Sequence, residues 1–546
     1  MPGRSRSRTP LRSAGAAVAL LLAAAATAAC GSSGSPASAA PAAGGTLTYG
    51  SDQLPDCLDP AVSPEDITGI VDREVFDSLV SESHDGTFHP WLASSWSVDP
   101  AGTVYTFHLR TDVKFQDGAA LDAAAVKASL DHVVAPATAS QYAASLLGPY
   151  TGTKVVDPAT VQITLSAPFE PLLQALSTPY LGIQSPAGLQ AGKTQLCTHP
   201  VGSGPFSFVS WTKPTSLELK NNPAYNWAPA DAAHQGAAYL AGITIQFNTE
   251  NASRFGSLTS GQSQVIEDVP PVDIKTLKAQ SGLGLLTEQR PGAVYTIGLN
   301  TAKGPLADPK VRTALMRSVD FDQLIQSIYF GQYARAWSML SPTTPDYDAT
   351  LAKSWPPDQA LGNQLLDQAG WTAHDAAGYR TKDGQELTLR WPAASPRQDR
   401  AALAQGIQAE AKAVGINVQY VNEDQGAYIQ DLIGGKLDLV DTSFVRDEPD
   451  ILRHFFASDQ TILKGGANEF GLHDPQLDQW LNGAAAGSDA AQRKQSYLAA
   501  QQYIIKNALA IPVYVPTTLV GYQTKVHGLA LDADGSLLFH GAWIAK

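Results

Sequence analysis

Val75-Phe76-Asp77-Ser78-Leu79-Val80, then Pro90-Trp91-Leu92-Ala93-Ser94-Ser95-Trp96, Tyr105-Thr106-Phe107-His108-Leu109-Arg110 and Val113-Lys114-Phe115-Gln116-Asp117-Gly118 follow one another along residues 75–118. Apolar and polar positions alternate from Thr103 to Leu109, which is the period of a half-buried strand. Ahead of this run, Ile67, Ile70, Val71, Val75 and Leu79 fall near helical spacing across 67–80, with Asp66 available as cap. Behind it, Asp122 precedes Val126, Leu130 and Val133, which share one face of a helix, and Val161–Leu165 is a further strand. Trp91, Trp96 and Phe107 read as core residues.

The same alternation continues with a changed rhythm in the second half. Tyr295–Leu299 is a strand, and Asp308-Pro309 opens a helix in which Pro costs nothing because first-turn N–H groups have no helical partner. Its apolar face runs through Val311, Leu315, Val319, Leu324, Ile325 and Ile328. Leu387–Trp391 is a strand, 400–414 a helix stopped by Gly415, and Ile416, Val418 and Tyr420 follow with period two. Tyr428–Ile433 and Leu437–Val440 repeat helix then strand. Alternation on this scale predicts an α/β fold, and some five hundred residues are too many for one core, so two or more lobes are expected.

The first thirty residues read as an address. Arg4, Arg6, Arg8 and Arg12 precede an uncharged run from Ala14 to Ala29, too short against the roughly 20 residues that span a bilayer and built like a secretory signal. Thr27-Ala28-Ala29-Cys30 resembles a bacterial lipobox with Thr in place of the usual Leu, so 1–29 is read as a signal peptide and Cys30 as the lipidated first residue. Ordinary cleavage beside an incidental Cys is the alternative. Residues 31–45, nearly all Gly, Ser, Pro and Ala, bury too little apolar surface to order themselves and form a tether of on the order of 20 Å.

Formal charge is −14 for the whole chain, and −14 less the four leader arginines is −18 for the mature protein. This argues against a nucleic-acid partner, which demands a basic surface. With Cys30 assigned to lipid, Cys57 and Cys197 remain in an oxidising compartment, where a pair closes. Two free buried thiols are the alternative. No C-x-x-C is present, and the chain offers no metal or cofactor motif. Asp532-Ala533-Asp534-Gly535 lacks the later ligands of a calcium loop and reads as a surface turn.

Taken in order and at their spacing, the opening quotations resemble the large peptide-type (family 5) extracellular solute-binding proteins of ABC importers, which include dipeptide-, oligopeptide- and nickel-binding receptors. Further matches are Pro200-Val201-Gly202-Ser203-Gly204-Pro205-Phe206, Gly298-Leu299-Asn300, Val311-Arg312-Thr313-Ala314-Leu315 and Leu365-Leu366-Asp367-Gln368-Ala369-Gly370-Trp371. Gly202 and Gly204 are expected to supply backbone angles closed to other residues. The resemblance implies a two-lobed periplasmic-binding-protein-like fold with an extra inserted subdomain and two crossing strands as hinge. On this chain, lobe I would combine 46–81, 198–290 and 516–546, the inserted subdomain would be 82–197, and lobe II 291–515. Cys57 and Cys197 then fall in or at the edge of lobe I.

In the peptide binders of that family, an aspartate ahead of an acidic-Pro pair meets the ligand's ammonium. Counting back four places from Pro449 gives Val445, with Arg446 beside it. The resemblance therefore leaves three readings. Asp447 or Asp450 takes the role, Arg446 holds a carboxylate or phosphate by a bidentate pair, or these charges neutralise one another structurally. Tyr49 and Ser51 after the first strand, Trp391 and Tyr514 are the other candidate contacts, the aromatic rings offering apolar area with a polar edge.

The function expected is capture of a peptide or similar small solute between the lobes and delivery to a membrane permease and its ATPase. The protein would act outside the cytoplasm as a lipid-anchored monomer on the outer face of the cell membrane. A nickel chelate, an opine, an oligosaccharide or a signalling peptide are alternative ligands. A secreted hydrolase is the rival class, but the chain shows neither G-x-S-x-G nor H-E-x-x-H and its histidines are scattered.

Overall fold

The computed structural model describes residues 40–394, 398–462, 466–469 and 471–545. The signal segment 1–29, Cys30 and tether residues 31–39 lie outside them. No helix among the described residues is long and apolar enough to cross a membrane.

Residues 41–546 form one compact unit organised by two large sheets. The first has seven strands in the order Leu283–Gln289, Thr517–Gln523, Val265–Ile266, Thr46–Ser51, Gly242–Phe247, Ser216–Asn221 and Phe206–Thr212. Its opening strand lies parallel to both neighbours, and parallel strands belong to sheets that carry packing on their faces. Leu47 and Tyr49 are accordingly enclosed, among Ile243, Ile245 and Val265. The second sheet, antiparallel throughout, runs Ala334–Arg335, Ala510–Val515, Ala293–Leu299, Leu439–Phe444. The parallel pair Thr388–Ala394 and Asn417–Glu423 adjoins it through Asp438, which donates its N–H to the Arg390 carbonyl at 3.1 Å and accepts the Arg390 N–H at 2.8 Å.

The chain passes between the two sheets twice, from Gln289 to Ala293 and from Val515 to Thr517. The passages are neighbours, because Leu283–Gln289 pairs with Thr517–Gln523 on one side and Ala293–Leu299 with Ala510–Val515 on the other. Between them Arg290 donates its N–H to the Pro516 carbonyl at 2.9 Å. This is the α/β architecture that the pattern predicts, with two bodies joined by crossing strands as the resemblance implies. A third, four-stranded antiparallel sheet comprises Ala93–Val98, Val104–Leu109, Thr160–Leu165 and Tyr150–Asp157. Helix Ala123–Val134 packs on it, with Asp122 accepting the Ala125 N–H at 2.8 Å as its cap. Phe107, Val126, Leu130 and Ile163 share that core, each burial contributing about 1.5–3 kcal/mol.

Cys57 and Cys197 are bonded, with Cα atoms 4.3 Å apart. They tie the loop after the first strand to the segment that leads into strand Phe206–Thr212.

Four local expectations are corrected. The helix anticipated over 67–80 is Asp66–Val75: its last carbonyl, of Val75, accepts the N–H of Gly204 at 2.9 Å, and the chain leaves as the strand Val80–Glu82. Gly202 and Gly204 are not needed for left-handed angles. A Cβ at Gly202 would stand 2.0 Å from the Val75 carbonyl oxygen, and one at Gly204 would stand 2.6 Å from that of Glu74, so both are glycine because two backbones touch. The helix expected to run from 309 through 328 is two, Pro309–Ser318 and Phe321–Tyr329, because Asp320 caps the second by accepting the Gln323 N–H at 3.0 Å. Finally, Asp532–Gly535 is a turn but does not stand free on the surface: Asp534 Oδ1 accepts the N–H of Asp447 at 2.9 Å.

Candidate functional site

A cavity of about 570 Å³ opens between the two large sheets. From the first sheet it is lined by Tyr49, Glu267, Asp268 and residues 517–520, and from the N-terminus of helix Asp66–Val75 by Glu65 and Asp66. The second sheet and its helices contribute Tyr333, Arg400, Ser443, Phe444, Val445 and Tyr514, and the crossing contributes Arg290.

The two walls differ in chemistry. On the first, Glu267 directly follows the strand Val265–Ile266 and is held from behind: Ser51 Oγ donates to its Oε1, as does the Asp52 N–H at 3.2 Å. Burial, then the neighbouring Asp268 charge, raises the Glu267 carboxyl above the ordinary range, and a cation brought beside it favours the charged form. Arg290 is committed to Asp66 at 2.7 Å. On the second wall, Tyr514 stacks on Tyr295 with centroids 4.6 Å apart and planes 10° apart, and on Tyr333 at 5.0 Å. Arg400 lies 4.9 Å from the Tyr295 ring and 3.8 Å from Asp441 Oδ2. Asp441 is fixed in turn by the Tyr295 hydroxyl and the Trp391 indole N–H, both at 2.9 Å. The result is a cation set over aromatic rings opposite an acidic wall.

Of the residues nominated from sequence, Tyr49 and Tyr514 line this cavity. Ser51 is fully buried one layer behind, orienting Glu267. Trp391 does not reach the cavity: it is fully enclosed in the second sheet's core and acts on Asp441. Arg446, Asp447 and Asp450 do not line it either. Arg446 is 2 % exposed, with Nε donating to Gln174 Oε1 at 3.2 Å. Asp450 makes a bidentate pair with Arg453 at 2.9 and 3.0 Å, and Glu448 pairs with Arg493 at 3.1 Å. Asp447 faces the 532–534 turn, and burial followed by the charges of Asp534 and Glu448 pushes its carboxyl up to about 7. The strand preceding these residues aims Ser443, Phe444 and Val445 at the cavity and turns the charges away.

Glu267, Asp268, Arg400 and Tyr333 escape a motif-based reading. The signal that points to the acids is the isolated apolar pair Val265-Ile266, a short central strand, delivering an acidic pair at its carboxyl end. No comparable signal marks Arg400, whose placement depends on how its helix docks.

Glutathione-binding protein GsiB of Escherichia coli O1:K1 / APEC is 28 % identical over 494 residues, 89 % of this chain and 92 % of the relative. In three dimensions the chain superposes on NikA from Brucella suis, solved with Fe(III)-EDTA, with a TM-score of 0.80 at 25 % identity, covering 92 % of this chain and all of the other. DppA from Helicobacter pylori, solved with the peptide STSA, gives a TM-score of 0.80 at 24 % identity over 92 % of this chain and 99 % of its own. The two-lobed fold is common to the chain and these solved structures. Residues 87–460 match the model of the bacterial extracellular solute-binding proteins, family 5 (middle part). A molecule whose two sheets enclose a charged cleft, and whose relatives over nearly the whole length bind solutes without transforming them, has the build of a receptor, not an enzyme: the chain belongs to the family 5 extracellular solute-binding proteins, the substrate-binding components of ABC importers.

Proposed function

We propose that this receptor captures a short peptide, or a similar solute carrying both an amine and a carboxylate, in the cleft between its lobes and delivers it to a permease. The observation that supports this most is the opposition of Glu267 and Asp268 on one wall to Arg400 on the other. An ammonium taken from water loses hydration worth several kcal/mol and needs a carboxylate in return. A guanidinium suits a carboxylate because it offers two parallel N–H donors. With Val445 standing where family relatives place an acid, the ammonium goes to Glu267. The lobe bounds 46–81, 198–290 and 516–546 against 291–515, with 82–197 inserted, accompany this reading. So do diacylation of Cys30 and a monomeric state.

The test is calorimetry on the mature protein with a peptide identified by native mass spectrometry of what co-purifies. Glu267→Gln and N-acetylation of the peptide should each weaken binding at least tenfold, and together no further than either alone. Arg400→Gln should behave likewise toward C-terminal amidation. A ligand without an amine that binds as tightly to Glu267→Gln as to wild type would refute the assignment. For the anchor, Cys30→Ala should move the protein from membranes to medium. An equally membrane-bound variant would show that no lipid on Cys30 holds it.

A further inference from the structure

A second cavity, of about 390 Å³, lies on the other side of the Ala530–Leu538 hairpin. One helix serves both cavities: Asp66 and Ile70 face the inter-sheet cleft, while Arg73 and Glu74, at the other end of Asp66–Val75, face this one. The hairpin is shared in the same way, with Gly535–Leu537 toward the cleft and Asp532, Asp534 and Leu538 toward the second cavity.

Its charge is one-sided. Among the described lining residues, Glu74, Glu82, Asp231, Asp532 and Asp534 share the cavity with one guanidinium, that of Arg73, which is already engaged by Ser78 Oγ at 2.9 Å, by the Ser177 carbonyl at 2.6 Å, and by the Trp91 ring 5.2 Å away. Asp231 accepts the Ser81 hydroxyl at 2.6 Å, Asp532 closes its own turn, Asp534 accepts the Asp447 N–H, and Glu82 accepts the Ser177 hydroxyl at 3.4 Å. Glu74 differs. It is 2 % exposed, its Oε1 accepts the Phe539 N–H at 2.8 Å, and its enclosed Oε2 has no donor among the described residues. A buried acceptor left unmatched is costly, and this one belongs to a side chain lining a cavity of the size that small molecules occupy.

We infer that this cavity is a second ligand site, separate from the inter-lobe cleft, that takes an organic ammonium whose charge is met by Glu74 and Glu82 and whose apolar body packs on Trp91 and Tyr225. Aromatic faces attract a cation through their quadrupole. The predominantly acidic lining disfavours an anion of the same shape.

Binding is linked to protons. In the free protein Glu74 is pushed up to about 8 by burial, against the Phe539 N–H bond and the Arg73 charge, with Asp77 adding to the rise. Glu82 is pushed up to about 9 by burial, then by Asp447 and Glu448 from the 446–450 segment and by Asp534 from the hairpin, against its Ser177 bond. His540 on the same wall is held down at about 4 by burial and stays uncharged. A bound ammonium takes the place of one proton shared between the two carboxyls, so affinity rises from pH 6 to pH 8.

The probes are 2-phenylethylamine and its anionic counterpart 3-phenylpropionate, titrated into the mature protein by calorimetry at pH 6, 7 and 8, in two buffers of different ionisation heat. The amine should bind saturably with proton release at pH 7, and the carboxylate should not bind. Glu74→Gln and Glu82→Gln should each weaken the amine at least tenfold and reduce the protons released. Glu82→Gln carries the test if Glu74→Gln fails to fold. The inference is overturned if the amine shows no saturable heat, if 3-phenylpropionate binds equally, or if both variants bind like wild type. It is equally overturned if Glu267→Gln abolishes amine binding while Glu74→Gln and Glu82→Gln leave it intact, since the amine would then occupy the inter-sheet cleft.

Discussion

Asp450→Asn should cost the protein stability and leave ligand recognition alone. Asp450 is fully buried and Arg453 is 8 % exposed. Both carboxylate oxygens are spent on the guanidinium, at 2.9 and 3.0 Å, and the Arg453 guanidinium otherwise sits 5.4 Å from the Phe169 ring. An amide at 450 retains one acceptor but removes the charge, leaving a buried cation without its counter-ion, which costs about 3–5 kcal/mol. Adding Arg453→Met to Asp450→Asn removes the orphaned cation, and most of the loss should return, because replacing both partners of a buried pair is close to neutral. The cycle should therefore give a coupling of about 3 kcal/mol. The assay is urea unfolding of ligand-free protein followed by tryptophan fluorescence, fitted with more than one transition since the chain has several cores. A loss below about 1 kcal/mol for Asp450→Asn would refute the reasoning from geometry and burial. So would an unchanged transition accompanied by lost ligand affinity, which would return Asp450 to the binding site.

Two further outcomes follow from buried groups. Cys57 and Cys197 are 140 residues apart, so replacing both by Ser should cost roughly 5 kcal/mol in the chain-entropy treatment; equilibrium unfolding of the double variant measures it, and a loss under about 1 kcal/mol would mean that the unfolded chain stays compact there without the crosslink. Glu74, raised on folding from 4.5 to about 8 chiefly by burial, stabilises the fold fully below its unfolded pKa and loses that contribution as pH climbs toward 8. That amounts to roughly 5 kcal/mol across the window; Asp77, raised to about 6 by burial, acts in the same direction over a narrower range. Unfolding at pH 5 and pH 8 should show Glu74→Gln with the flatter profile, and identical slopes would contradict it.

The fold was legible where one element determines its own surroundings. Strand Val104–Leu109, the Asp122 cap and the Pro309 start come from local alternation and hydrogen bonding, and the structure agrees with them to within a residue. Legibility fails where a distant backbone intervenes. Nothing around 67–80 says that Gly204 will dock on Val75, and nothing around Gly204 says that its hydrogen atom is a clearance. The cleft shows the same division. Tyr49 and Tyr514 sit at strand positions whose direction the pattern fixes, and both reach the cavity. Arg446, Asp447 and Asp450 were nominated by spacing from Pro449, but spacing does not tell which face of a turn holds a partner. Arg453 three residues on takes the Asp450 carboxylate, Gln174 takes the Arg446 guanidinium, and the backbone N–H of Asp447 docks on Asp534. Arg400 waits on the docking of an entire helix.

The paired crossings have a practical corollary. Residues 293 and 515 both stand where the chain has just arrived in, or is about to leave, the second sheet, and Tyr295 lies opposite Tyr514 in the ladder. A segment of more than two hundred residues thus begins and ends at nearly one point in space, so it behaves as a cassette. It can be exchanged with the matching segment of a relative, with two short seams to repair and the first sheet's seven-strand order left intact. Chimaeras built this way would separate the specificity written on the Arg400 wall from that written on the Glu267 wall, half a receptor at a time.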